Sequence, residues 1–312
     1  MSKAQKPFLS FCIPTYDRLE ILRNTIESIY ADLDGVDLDE FEVIVSDNQL
    51  DQSAKKVIEK FLFKNLFYFS TDCSGFLNSF NVLKYGNGQF LKLHNNYTKL
   101  RKGTLKKMIA EIKENISAKG LIFYTDGLNQ NGEIKKINSF NSFMYELSYF
   151  SSWSTGFGIW RDDFLKVVES IKIDKYFPQT SLLLSQSKKN EYIINDRPIF
   201  DNQKIPKKGG YNIFKVFSVD FISLIEKCYL SGEINKDTLR KIKFNLLYNY
   251  LSVRYFKTVI VRVDNFEKSD IKKSITTYYS NIEYYAMIMT AFISPFKFVI
   301  RKIKIALFKQ LK

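Results

Sequence analysis

Within its first 125 residues the chain alternates short apolar runs with segments of helical periodicity, and this limits its fold more than any other feature. The runs are FLSFCIP (8–14), FEVIVS (41–46), LFYF (66–69), GQFLKL (88–93) and GLIFYT (120–125). Each is too short for a buried helix, and several are rich in β-branched or aromatic residues, as buried strands are. Between them, Leu19, Leu22, Ile26 and Ile29 mark a helix over 18–30, and Ala54, Val57, Ile58 and Leu62 mark another over 53–63. Segments 75–84 and 103–116 also read as helices. Parallel strands need a crossover long enough to hold a helix, so strand–helix units of about 30 residues predict a mostly parallel sheet with helices on both faces. Ligands of such α/β sheets bind at the carboxyl ends of the strands. Loops 14–18, 47–53, 71–75 and 94–98 are therefore the candidate site.

From about Ser139 the pattern changes. SSWSTGFGIW (151–160) reads as a loop and a short strand, and Asp162 or Asp163 as the cap of a helix running to about Ile171. Segment 192–200 reads as a strand. KKGG at 207–210 is the expected hinge, and 213–230, 237–255 and 269–292 are expected helices. Two domains follow, 1–205 and 206–312.

Composition narrows the function. With 45% apolar residues among 312, the chain can bury a sizeable core. Three widely spaced cysteines, Cys12, Cys73 and Cys228, exclude a disulfide scaffold and a cysteine zinc site. The one histidine, His94, excludes His-rich metal cages. No leader pattern opens the chain and no run of 18 apolar residues occurs, so a cytoplasmic location is expected. Charge is uneven. Residues 1–200 hold 26 Lys/Arg against 24 Asp/Glu, whereas residues 201–312 hold 21 against 9, a net of +12. The last third should therefore meet an anionic partner.

Two polar segments sit at strand ends. One is Ile13-Pro14-Thr15-Tyr16-Asp17-Arg18, whose backbone amides and Thr15 can meet a ligand at the edge of a sheet. The other is VIVSDNQLDQS (43–53), where a carboxylate and a carboxamide can hydrogen-bond a planar base or a ribose. Capping of the next helix accounts for Asp51 and Ser53 but less well for Asp47 and Asn48. Together, LSFCIPTYDR and VIVSDNQLDQS resemble the opening of family 2 glycosyltransferases of the GT-A fold. A third similarity is Ser74-Gly75-Phe76-Leu77-Asn78, leading to Gly88-Gln89-Phe90-Leu91. The resemblance covers about residues 8–200 and is greatest to abequosyltransferase-like enzymes of surface polysaccharide synthesis.

The resemblance implies a GT-A domain that is Rossmann-like, with a helical region after it. It also implies a nucleoside diphosphate sugar donor and inverting transfer to a growing glycan. Pro14, Thr15, Tyr16 and Arg18 would frame the nucleotide, Asp47 would face the base with Asn48 beside it, and Gly75 and Asn78 would lie near ribose or base. Trp153, Gly156, Gly158 and Trp160 match the acceptor-side wall, where aromatic faces suit sugar rings.

Two departures stand out. The family's acidic motif after the fourth strand, which holds Mn²⁺ or Mg²⁺ against the diphosphate, is replaced by His94-Asn95-Asn96, with no carboxylate. Hard dications prefer anionic oxygen. Either a divalent cation is held through His94 or Asn96 together with the diphosphate, or Lys92, Lys99, Arg101 or Lys102 neutralises the diphosphate directly. Secondly, Gln179 fills the slot of the family's catalytic carboxylate. Asp174 is the nearest replacement, with Asp162 and Asp163 as alternatives.

Residues 296–312 (FKFVIRKIKIALFKQLK) carry six cations and no acid. Phe296, Val299, Ile300, Ile303, Leu307 and Leu311 share one side of a helix, the pattern of a basic amphipathic helix lying on a membrane surface. A lipid-linked acceptor at the anionic inner leaflet would make such peripheral docking useful. A helix packed on its own domain is the alternative. No nucleic acid is expected, because no helix-turn-helix, RRM or zinc pattern is present. A nucleotide- or glycan-binding protein of the same fold without catalysis is the main rival function, and a nucleic-acid-binding protein driven by the +12 region is the lesser one.

Overall fold

The computed structural model describes residues 6–128, 132–205 and 209–293. They fall in two compact units, Met1–Lys204 and Ile205–Lys312. In the first, the chain runs β1 (Leu9–Thr15), α1 (Leu19–Tyr30), β2 (Phe41–Asp47), α2 (Lys55–Ile58), β3 (Leu66–Ser70), α3 (Asn78–Lys84) and β4 (Phe90–Leu93). It continues through β5 (Thr98–Leu100), α4 (Thr104–Glu114), β6 (Leu121–Tyr124), β7 (Ile134–Ile137), α5 (Phe140–Leu147) and β8 (Gly158–Trp160). It closes with α6 (Arg161–Val167), α7 (Pro178–Leu184), β9 (Tyr192–Asn195) and β10 (Phe200–Asn202).

The central sheet has the order β3-β2-β1-β4-β8. Its first four strands are parallel, and β8 is antiparallel to β4. A second sheet, β6-β9-β7, adjoins it through a bridge between Phe123 and Phe157. The small antiparallel pair β5–β10 lies beside α1, where Leu100 N–H donates to Ser28 Oγ. This is the mixed, mostly parallel α/β architecture that the alternation predicts. Every residue of β2, and all but Pro14 of β1, is buried. Phe11, Ile13, Val43 and Val45 join Leu22, Ile26, Ile109 and Ile112 in one core, each large side chain contributing about 1.5–3 kcal/mol by leaving water.

Three boundaries differ from the sequence expectation. The helix expected over 53–63 ends at Ile58, and Leu62 is 97% exposed. Phe63 stacks on Tyr30 with ring centroids 3.7 Å apart, and Asn65 Nδ2 donates to Phe41 O, which draws the chain out of the helix early. The strand expected over 192–200 splits in two, because Asp126 Oδ1 accepts from the Ile199 and Phe200 amides and turns the chain into β10. Helix α6 starts at Arg161 without a side-chain cap, so Asp162 and Asp163 are first-turn acids rather than caps.

The second unit is helical over 213–230, 236–260, 271–276 and 281–293. Asn212 and Asn235 cap the first two by accepting from the amides of Lys215 and Thr238. The expected long helix over 269–292 is broken at 277–280. Of the expected hinge, Lys207 and Lys208 lie outside the described residues. Gly209 instead bridges Asn265, whose carbonyl oxygen would stand 2.0 Å from any Cβ at that position. Residues 296–312 also lie outside the described residues. Among the described residues, no helix is long and apolar enough to cross a membrane.

Candidate functional site

The parallel strands deliver their carboxyl ends to one rim, and polar side chains gather there. Thr15 closes β1, and its Oγ1 accepts from Asn96 Nδ2 at 3.0 Å, which ties the loop after β4 to the end of β1. Asn96 O in turn accepts from Thr25 Oγ1. After Thr15 the chain turns into α1 through Asp17 and Arg18, both left-handed with φ of 59° and 65°. Each such non-glycine residue costs about 1–2 kcal/mol. Tyr16, Asp17 and Arg18 are all exposed on this turn.

Asp47 closes β2 and is fully buried. Its Oδ1 accepts from Gln49 N–H at 3.0 Å, and its Oδ2 from Tyr68 Oη–H at 3.1 Å and Ala54 N–H at 3.4 Å. Burial and the Asp47 carboxylate both raise the Tyr68 phenol, in that order, so it keeps its proton and donates. Asp47 thus shapes the 47–54 loop from beneath. Asn78 is the hub of the rim. Its Nδ2 donates to Ser46 O at 2.7 Å, and at 3.3–3.4 Å to Asn48 Oδ1 and Thr15 O, while its Oδ1 accepts from Ser46 Oγ at 2.7 Å. Asn48 Nδ2 reaches the carbonyls of Cys73 and Gly75. Gly75 is left-handed with φ 51°. Of the residues expected at the nucleotide end, Thr15, Asn48, Gly75 and Asn78 therefore form one connected network, and Asp47 supports the loop beside it.

The loop after β4 departs from its expected role. His94 is fully buried between Phe11 and Phe200, with ring centroids 5.5 and 5.6 Å away, and its Nε2 lies 2.7 Å from Thr98 O. Burial first, and then Lys92, pull the imidazole from 6.5 down to about 3, against the Thr98 carbonyl. His94 is a neutral core residue, not a ligand at the rim. Unfolded histidine takes a proton below about pH 6.5, but folded His94 does so only near 3, so stability falls as pH drops through that window. A loss of about 1.5–2 kcal/mol between pH 6.5 and 5 is expected. Urea melts at stepped pH should show it, and His94→Gln should flatten it; an equal slope in both proteins refutes the assignment.

Lys92 is likewise not a free cation. It is fully buried, its Nζ donates to Leu93 O and to Thr155 O, and the rings of Tyr124 and Phe200 each lie 5.1 Å from it. Burial lowers its pKa well below the usual value. Arg101 is paired with Asp201, while Lys99 and Lys102 are exposed. Asn95 is the residue of this loop that faces the acceptor-side segment: its amide donates to Thr155 Oγ1, and its Oδ1 accepts from Ser154 Oγ. Among the described residues no three His, Cys, Asp or Glu side chains cluster as a metal site. With the imidazole buried and the Asn96 amide bonded to Thr15, these donors do not fit a hard dication.

The acceptor-side and base candidates divide. Trp153 is half-buried and meets Phe200 edge-on. Trp160 is core: its Nε1 donates to Gly120 O and its ring meets Phe90, at the opposite end of the sheet. Gly156 exists for packing, since a Cβ there would stand 2.3 Å from the Phe123 ring. Asp163, beyond Trp160, is bonded to Lys189 and Lys166 away from the rim, so the structure removes it as a base. Asp174 Oδ1 accepts from the amides of Tyr176 and Phe177. Tyr176 meets Phe76 beside Gly75, with centroids 6.0 Å apart, which keeps Asp174 on the rim side. Gln179 Nε2 donates to Ser152 O, a structural use. Sequence reading passed over Asp126, in the Asp-Gly turn that closes β6. It is a left-handed, half-buried carboxylate whose pKa is raised chiefly by burial. Its position at a strand's carboxyl end was the available signal.

Residues 10–166 match the sequence model of glycosyl transferase family 2. The chain belongs to that family. It is a glycosyltransferase of the GT-A fold. No curated protein sequence matches the chain. Among solved structures, S. aureus TarS 1-349 in complex with UDP-GlcNAc is similar at a TM-score of 0.61 and 16% identity, over 88% of this chain and 79% of that one. A second structure of S. aureus TarS 1-349 gives 0.59 at 17% over the same shares. The mannosyltransferase PcManGT from Pyrobaculum calidifontis, in complex with GDP-Man and Mn²⁺, gives 0.51 at 10%, over 93% of this chain and 81% of that one.

Proposed function

We propose that this glycosyltransferase moves a sugar, with inversion, from a nucleoside diphosphate sugar to a growing surface glycan carried on a lipid. It would do so while peripherally docked at the cytoplasmic face of the membrane. The observation that carries the reading is the connected Thr15–Asn48–Asn78–Asn96 network at the carboxyl ends of β1, β2 and β4, with the buried Asp47 carboxylate beneath it shaping the 47–54 loop. It presents the polar edges a nucleoside needs, with Tyr16, Arg18 and Gly75 around it. The diphosphate would lie toward Asn95 and Asn96, with exposed Lys99 and Lys102 on the same stretch of chain supplying positive charge. Asp174 would take the acceptor hydroxyl's proton as that oxygen attacks the anomeric carbon and the nucleoside diphosphate departs. Trp153 would support the acceptor sugar. Similarity to TarS and PcManGT, whose structures hold UDP-GlcNAc and GDP-Man, supports a nucleotide sugar as donor without selecting one.

Calorimetric titration with UDP-, GDP-, dTDP- and CDP-sugars, coupled to an assay for released nucleotide, tests this. One sugar nucleotide should bind and turn over. Binding without release would favour a non-catalytic member of the fold, which Gln179 in the base slot also favours; no binding at all would sink both. Removing residues 295–312 should move the protein from the membrane to the soluble fraction, and unchanged fractionation would defeat the docking.

A further inference from the structure

The helix over 281–293 has two unlike faces. Tyr284, Met287 and Ala291 are buried against the second unit, whereas Ile282, Tyr285, Met289, Phe292 and Ile293 are 52–82% exposed. At 100° per residue these five fall within an arc of about 100°, a continuous apolar stripe on solvent. Scattered exposed apolar residues are ordinary, but a contiguous stripe is not. Glu283, the one acid of this helix, is turned back to its start, where Oε2 accepts from Ser280 N–H and Oγ–H. Lys272 borders the stripe: its Nζ lies 3.2 Å from Tyr285 Oη and 5.2 Å from the Tyr285 ring. An apolar stripe edged by a lysine and a tyrosine hydroxyl is the chemistry of a helix lying in a lipid interface.

We infer that this stripe is a membrane-docking face that inserts its five apolar side chains between the headgroups of an anionic bilayer. The inference rests on the peripheral-docking reading above and assigns it residues outside 296–312. Charge selects the occupant. Two copies joined through this face would bring two units of net +12 together. Residues 296–312 folded over it would set six further cations beside Lys272. An anionic surface turns the same charges into attraction.

The test uses the full chain with vesicles of phosphatidylcholine alone or with 30% phosphatidylglycerol, read by co-sedimentation. The variant is I282S/M289S/F292S, which leaves every charge in place. The expected result is a drop of at least ~tenfold in partition to the anionic vesicles, with unchanged thermal unfolding and unchanged sugar-nucleotide binding. Parental partition by the variant overturns the inference. If removal of 295–312 then abolishes binding, the docking reading survives without the stripe; if the parent itself ignores vesicles, both fail. Light scattering adds one further overturning outcome: a parental dimer that the triple variant converts to monomer, with vesicle binding intact, makes the stripe an interface between copies.

Discussion

Asn78→Ala is expected to lower stability by about 2–4 kcal/mol and to weaken sugar-nucleotide binding at least ~tenfold. The Asn78 side chain gives Ser46 both an acceptor for its hydroxyl and a donor for its carbonyl, and it holds Asn48 and Thr15 in one network. Ser46 is fully buried, so water does not replace these bonds. Asn78→Asp should do no better, because it keeps the acceptor, removes the donors and places a charge against Ser46 O. Chemical denaturation and calorimetric titration of the same preparations measure both effects. An alanine variant with parental midpoint and parental affinity would show that the rim is not organised by this residue.

Gly156→Ala is expected to cost about 3 kcal/mol, lowering Tm by about 6–12 °C. Its Cβ would meet the Phe123 ring at 2.3 Å and Tyr124 O at 2.8 Å, and a strand carbonyl cannot swing away as a flexible side chain can. The damage should spread to the rim, since neighbouring Thr155 and Ser154 hold Asn95. Differential scanning calorimetry gives the first effect and donor titration the second. A variant with parental Tm and only a raised acceptor KM would reverse the assignment and return Gly156 to the acceptor wall.

These residues show where sequence reading reaches and where it stops. The pairing of IPTYDR with VSDNQ drew attention to Thr15, Asp47 and Asn48, because polar residues at the end of a wholly apolar strand have little structural reason to be there. It placed Asp47 under the base, whereas the folded chain gives both carboxylate oxygens to the loop and to Tyr68, 21 residues away. Trp160 and Gly156 looked like acceptor contacts because loops rich in glycine and tryptophan suit sugars. Their roles were set by Gly120 and Phe123, which arrive from another sheet. For the stripe on 281–293 the sequence offers a charge-free run over 284–296; which side is buried depends on the helices it meets.

By itself the sequence determined the alternation of strands and helices from β1 to β4, with α4 and β6 after them. With it came the place of the crevice, because apolar runs of four to seven residues joined by helical segments bury themselves only as parallel strands, and parallel strands end together. The tertiary structure alone decided which polar groups remain free to act. Lys92 and His94 read as cations or ligands by type and spacing. They are withdrawn from that role by Thr155 and Phe200, more than 60 residues further along the chain. Burial is a property of what arrives from elsewhere, and no local pattern carries it.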